Sequence, residues 1–352
     1  MAALLFILPL LTPLTFLHQV AVTPKVGEYY DDHVMEFMRW LQRSHSAPIA
    51  NVQDLDVKLE SYFTEMYDED AAPSFGEKTL AGLAHRLPRV PGSLSSMFPS
   101  ASRCLKGWRR MMPPRTRPPL PFDAMLTCAL SLSCHVNVAM GMAVLLGFFC
   151  YLRPRELTGL MTHQLIPPAD REEGSAPAGQ SIFMNWSLLL RTLDELVASK
   201  TGHYDENIVI DSKWLVSWIN PFLEALLEGR RSSHMLWNFT HEELSAAFKR
   251  EMKILRMEKL ITTLYGLRHG GASFDTLFSL REPKAIKLRG RWSSDRSLLR
   301  YRKASLAQNE ANKVPLGVRQ LSRIIAANPA KHFDDLTQSR QQLSGLRASR
   351  TR

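Results

Sequence analysis

The sequence predicts a mainly α protein of two domains, a helical N-terminal half followed by a mostly helical second half with a small β-sheet. Apolar residues recur at helical spacing along most of the chain. A nearly unbroken apolar run over 124–152 reads as a buried helical hairpin, and short β-branched stretches on either side of a turn-rich segment near 200 read as strands. At 352 residues the chain exceeds one ordinary domain and can bury two real cores, with an ordinary globular hydrophobic content of 45%.

Residues 1–22, MAALLFILPLLTPLTFLHQVAV, are apolar. No Lys or Arg precedes this run, the first being Lys25, and Pro9 and Pro13 interrupt any membrane helix. The segment reads as a loosely docked arm or a mis-assigned start ahead of the alternative, an export signal or anchor, so a membrane partner is not the expectation. Residues 23–110 form the helical domain. In DDHVMEFMRWLQRSH, Val34, Phe37, Met38 and Leu41 share one helical face, and Leu55, Leu59, Phe63 and Met66 repeat the pattern after Asp54. Between Ala81 and Phe122 there is no acidic residue, while Arg109, Arg110 and Arg115 are among the bases. The prolines of 111–121 favour an extended linker, either a spacer or a basic strap along a nucleic-acid backbone.

The second domain spans 122–310. After the hairpin comes LRPRELTGL, in which Arg153 ends one helix and Glu156 opens the next. SIFMNWSLLL is a strand or a short helix; Val197–Lys200 and Ile208–Ile210 are strands. An amphipathic helix covers Trp214–Leu227, and Thr240 caps another that runs to about Met257 and offers Lys249, Arg250, Lys253 and Arg256 to phosphates or to solvent. In LYGLRHGGASF, Gly270 and Gly271 let a helix start press against a neighbour while Arg268 stays exposed. Gly290-Arg291-Trp292 closes a helix, and Ser293 or Ser294 caps the next, with Tyr301 late on it. Residues 311–352 form a basic C-terminal helix, over Asn312–Pro329, and a tail.

The net charge of +10 is uneven, since residues 281–352 hold 17 Lys+Arg against 5 Asp+Glu. A basic patch beside the LRH segment indicates a polyanion partner, and nucleic acid is the foremost one. Four cysteines show neither a CxxC pair nor His/Cys ligand spacing, which argues for no metal and no disulfide framework, and for a reduced intracellular protein, nuclear in a eukaryotic host.

The LRH segment, the Gly-x-Trp turn and a tyrosine nine residues after Trp292 resemble the tyrosine recombinase (phage integrase) family, with a eukaryotic mobile element as one source. The resemblance implies the DNA breaking-rejoining enzyme fold: a core-binding domain followed by a catalytic domain, together clamping duplex DNA. Residue by residue, it places Arg153 and Arg268 as the catalytic arginines, Lys200 in SKTG as the general acid, Trp292 at the His/Trp position and Tyr301 as the nucleophile. The family's HxxR histidine is Tyr265 here. DNA-contacting candidates are Arg109, Arg110, Arg115, His269, Arg289 and Arg291. The chemistry implied needs no cofactor, metal or small-molecule substrate, because a phosphotyrosine preserves the energy of the broken bond. The partners implied are double-stranded DNA and further copies of the chain, as a dimer or tetramer. A decayed or domesticated DNA-binding protein and a type IB topoisomerase are the alternatives.

Overall fold

The computed structural model of the protein describes residues 15–44, 49–87, 93–113, 118–169, 185–190, 206–260 and 263–333. Contacts divide the chain into two units, Met1–Thr116 and Arg117–Arg352. The first holds helices α1 (Phe16–Gln19), α2 (Pro24–Arg43), α3 (Val52–Asp68), α4 (Pro73–Arg86), α5 (Leu94–Met97) and α6 (Pro99–Met111). Phe37, Met38, Leu41, Leu55, Leu59 and Phe63 fill its core, as their spacing predicts, together with Leu105 and Trp108 from α6.

Helix α3 starts ahead of Asp54, after which its apolar pattern begins, because Asn51 is its cap. The Asn51 side chain accepts from the Asp54 N–H at 2.8 Å, and the Asp54 carboxylate accepts from the Ala50 N–H at 3.2 Å. Helix α6 has no capping side chain of its own. Buried Asp56 of α3 supplies one, accepting from the Ser100 and Ala101 N–H groups at 2.9 Å each. The helix runs into the first residue of the expected linker, of which 114–117 lie outside the described residues. Residues 1–14 also lie outside them, and among those described no helix is long and apolar enough to cross a membrane.

The second unit is built on the hairpin of α7 (Phe122–His135) and α8 (Val138–Phe149), where the apolar run places it. Asn137 starts α8 by accepting from the Ala139 N–H at 2.8 Å. Helix α9 (Pro154–Thr158) follows, then a three-stranded antiparallel sheet in the order β1 (Leu165–Ile166), β2 (Ser187–Leu190), β3 (Glu206–Val209). Leu188 stands opposite both Leu165 and Ile208, so the buried face of the sheet is apolar in register. SIFMNWSLLL thus ends in a strand, β3 begins ahead of Ile208, and Val197–Lys200 lie outside the described residues.

The rest is helical: α10 (Lys213–Leu227), α11 (His241–Ile254), α12 (Tyr265–Leu277), α13 (Pro283–Arg289), a 3₁₀ turn over Asp295–Arg300, then α14 (Ala304–Asn312), α15 (Leu316–Ala327) and α16 (Pro329–Phe333). The mainly α class with a small sheet is what the structure shows. Two element expectations change. Helix α11, capped reciprocally by Thr240 and Glu243, stops short of Met257 because Arg256 turns left-handed at φ 56°. The C-terminal helix expected over Asn312–Pro329 is present as α15 but starts later, because Pro315 at its N-cap lacks the N–H needed to continue α14, and α14 and α16 flank it.

Helix α12 meets α8 backbone to backbone. A Cβ on Gly271 would sit 1.9 Å from the Phe148 carbonyl oxygen, and one on Gly270 would sit 2.4 Å from that of Leu120. Gly271→Ala should therefore destabilise by about 3 kcal/mol, the upper end of ordinary overpacking, although alanine is the better helix former. Gly107→Ala in α6, where a Cβ meets nothing within 4 Å, should stabilise by up to about 1 kcal/mol. Urea unfolding of both variants checks this; a Gly271→Ala protein as stable as the parent would mean that α8 and α12 are not in backbone contact.

Candidate active site

Two helix ends converge on one guanidinium. Helix α8 closes in a Schellman motif: the Leu152 N–H donates to the Gly147 carbonyl at 3.2 Å, the Tyr151 N–H to that of Phe148 at 3.4 Å, and Tyr151 is left-handed at φ 49°. Helix α13 closes the same way. Trp292 donates to Lys287 at 3.1 Å and Arg291 to Leu288 at 2.9 Å, with Arg291 left-handed at φ 52°. Arg268 Nη1 donates to the Tyr151 carbonyl at 2.6 Å, and Nη2 donates to that of Gly290.

Arg268 is 2% exposed, so the expectation that it stands free beside the two glycines is overturned. The glycines bring α12 against α8, and that approach seats the arginine inside, over the negative end of a helix dipole. Burial lowers its pKa, and repulsion from Arg291 and Arg153 lowers it further, to about 10, which leaves it charged at neutral pH.

Trp292 covers this guanidinium, whose Cζ lies 5.1 Å from the indole centroid. The approach depends on Gly290, where a Cβ would fall 2.2 Å from the Trp292 ring. Tyr301 stacks on Trp292 with centroids 4.5 Å apart at 27°, and His269 lies 5.4 Å from Tyr301 and 5.1 Å from Tyr265. With Tyr151, Ala272, Ile286 and Leu298, the tyrosine and tryptophan form a satellite core of their own. Tyr301 sits in the turn just after the 3₁₀ segment instead of late on an α-helix, and it is 3% exposed. His269, expected on the DNA surface, is half-buried in this aromatic row.

Arg153 occupies the N-cap position of α9, where its N–H donates to Glu156 Oε2 at 2.8 Å and its Nη1 pairs with Glu156 Oε1. Glu156 is shared. Arg291 pairs with it through Nη2 and approaches Glu206 of β3 through Nε at 3.1 Å. Burial alone would raise the Glu156 pKa, but the Arg291 charge, the Arg153 N–H and the Arg153 guanidinium overcome that and hold it below the ordinary carboxylate value.

Two other expectations of a DNA-facing arginine are corrected here. The Arg291 side chain is 4% exposed because its two carboxylate partners lie inside. Arg289 is 7% exposed, donating to the Phe149 and Val209 carbonyls at 2.8 Å each and pairing with Asp211 at 3.1 Å, so its charge ties α13 to α8 and β3. In the first unit, Arg110 is exposed and Arg109 pairs with Glu77 at 2.8 Å. Lys200 and Arg115 lie outside the described residues.

The structure thus brings together Arg153, Tyr265, Arg268, Trp292 and Tyr301 and adds three groups that sequence reasoning missed: Glu156 as the shared acceptor, Glu206, and the Tyr151 carbonyl. Glu156 had a signal, since a carboxylate three residues past a helix start is a capping pattern. The other two had none. A cleft of about 790 Å³ opens beside Trp292, lined by β3, α13, Arg291 and Ser293. Among the described residues no group of three His, Cys, Asp or Glu side chains is placed to hold a metal ion.

No protein-family model and no curated protein matches the chain. Among solved structures it is similar to the Tn1549 transposon integrase in complex with circular intermediate DNA, at 14% identity and a TM-score of 0.44, covering 82% of this chain and 99% of that one. It is also similar to the XerH site-specific recombinase bound to its difH substrate, at 11% identity and a TM-score of 0.39, covering 81% and 94%. Likeness at this level carries no functional argument, which the geometry of the site must supply.

Because the folded-state pKa of Glu156 is depressed, its ion pairs add stability that is complete above the unfolded value of about 4.3 and is lost as pH falls through the folded value. Glu156→Gln should remove that component. Urea unfolding between pH 3 and 6 should show stability falling less steeply with acid in the variant, and equal slopes would mean that Glu156 is not held ionised by the two arginines.

Proposed function

We propose that the chain is a DNA strand transferase of the tyrosine recombinase type, which cuts and rejoins double-stranded DNA through a 3′-phosphotyrosine on Tyr301. The observation that carries this reading is the stack of Tyr301 on Trp292 over Arg268, with Arg153 close enough to perturb the same guanidinium. A tyrosine and a second arginine that both act electrostatically on one buried guanidinium suit attack on a phosphodiester, whose non-bridging oxygens gain charge in the transition state. The resemblance of the LRH and GRW segments to the family supports it further.

In this mechanism the Tyr301 oxygen bonds to phosphorus as the bond to the 5′ oxygen breaks. Arg268 uses two of its five N–H donors on carbonyls, and the others, with Arg153 and the Trp292 indole N–H, hold the non-bridging oxygens. Lys200 protonates the leaving oxygen. Tyr301 is buried in the state described, so DNA must draw the 3₁₀ turn outward before attack. Exposed bases such as Lys249, Lys253 and Arg110 bind the backbone, and further copies of the chain assemble on the duplex. Tyr265, where the family has histidine, favours a second reading in which the chain binds DNA without cutting it.

Tyr301→Phe should abolish covalent adducts with a nicked suicide duplex while leaving DNA affinity within about threefold, since one hydroxyl is lost among many phosphate contacts. Adducts that persist in the variant would place the nucleophile elsewhere. Absence of adducts from the parent protein at every pH would favour the second reading.

A phenol offers a hydroxyl to donate but lacks the ring nitrogen with which imidazole takes up a proton, so Tyr265 can hold an oxygen but does little as a general base. Single-turnover cleavage should rise from pH 6 to pH 9, and Tyr265→His should accelerate it near pH 7 and flatten the profile. A Tyr265→His variant no faster than the parent, together with a harmless Tyr265→Phe, would reduce this position to packing.

A further inference from the structure

Arg291 stands out among the arginines of the second unit. It occupies a left-handed backbone slot at φ 52° that usually goes to glycine and is strained for a residue with a side chain, directly before Trp292. Its guanidinium is buried between two buried carboxylates, Glu156 at 4% and Glu206 at 7% exposure. The approach to Glu206 at 3.1 Å is an ion pair without hydrogen-bond geometry, and Arg291 Nε and Nη1 have no hydrogen-bond partner among the described residues. A buried cation kept this way is costly unless its charge is needed.

The need is at Glu156. That carboxylate binds Arg153 with one oxygen and Arg291 with the other, and Arg153, 21% exposed, is the more accessible of the two cations. If Glu156 had Arg153 alone, turning the Arg153 guanidinium toward an anion would leave a buried carboxylate with the Arg153 N–H but no counter-charge, which is unfavourable inside a protein. With Arg291 in place, Glu156 keeps a counter-charge throughout.

We propose that Arg291 is a positioning residue that frees Arg153 for a phosphate by holding Glu156 neutralised. The proposal deepens the strand-transfer reading and rests on it for the identity of the phosphate as a DNA phosphodiester. Glu206 anchors the far side of Arg291, so the readiness of Arg153 depends on the docking of β3 against α13. Arg291 acts through Glu156 and needs no contact with the substrate.

The test compares the parent with Arg291→Lys, which keeps the charge, and with Arg291→Gln/Glu206→Gln, which removes one charge of each sign. Thermal unfolding is recorded for all three so that loss of fold is not read as loss of positioning. The first readout is the shift of the Arg153 side-chain Nε–H signal on titration with inorganic phosphate, which needs no DNA chemistry. The double variant should need roughly tenfold more phosphate for the same shift, the scale on which residues of one ion-pair network couple, while Arg291→Lys stays within about threefold of the parent. The second readout is single-turnover cleavage of a suicide duplex, which should fall by a similar factor with duplex affinity unchanged.

An unchanged phosphate response in a folded double variant overturns the proposal, as does a folded Arg291→Lys as defective as the double variant, because charge would then not be what Glu156 requires. A weakened response in the double variant, combined with no cleavage by the parent, would leave the positioning role standing and sink the strand-transfer reading alone.

Discussion

The buried guanidinium of Arg268 is the contact on which the second unit's site depends. It takes the carbonyl of Tyr151 from the end of α8 and that of Gly290 from the end of α13, and so joins two helices 22 and 117 residues away in sequence. Each carbonyl is presented because its helix closes in a Schellman motif, and each motif places an ordinary side chain where glycine is usual. Those two side chains, Tyr151 and Arg291, are themselves spent on the site's framework: the Tyr151 hydroxyl bonds Asp275, and Arg291 pairs with Glu156. Removing the Arg268 charge would leave two helix C-termini facing each other without a cation between them.

Much of this was legible in the sequence, and the limit falls where local pattern gives way to tertiary contact. The α7–α8 hairpin follows from an apolar run too long for a strand, while Arg153, Arg268, Trp292 and Tyr301 were singled out by the resemblance of their motifs to a family, and the fold gathers them in one place. The close approach of α12 followed from Gly270 and Gly271. Its consequence did not: the sequence suggested an exposed Arg268, whereas the acceptors that bury it come from distant helix ends that no local window contains. Arg289 and Arg291 were misjudged for the same reason, since a basic run looks like a surface until the carboxylates and carbonyls that absorb it are seen.

Sharing one carboxylate between Arg153 and Arg291 has a further effect on local electrostatics. Three guanidiniums, of Arg153, Arg268 and Arg291, lie near two carboxylates, Glu156 and Glu206, so the cluster retains an excess of positive charge. Burial is the main cause of the lowered Arg268 value and repulsion from Arg291 and Arg153 adds to it, so an arriving anion would offset both. A site prepared in this way gains selectivity for a compact, multiply hydrogen-bonding anion over a lone carboxylate, because only the former can engage two planar guanidiniums at once.

Burial also separates two tasks that the basic composition alone would merge. Arginines seated behind Trp292 and Tyr301 are shielded from bulk solvent and are little screened by salt, whereas exposed bases on α11 and at Arg110 act through a screened field that fades over about 10 Å at moderate ionic strength. Affinity for a polyanion therefore resides mostly in the exposed set and falls with salt, while the interior set contributes only where a single phosphate is drawn inside. The boundary between the two sets is the Trp292–Tyr301 stack, whose indole lies over Arg268, so under the strand-transfer proposal a phosphate bound at the surface reaches the interior set only if the short Tyr301 segment gives way.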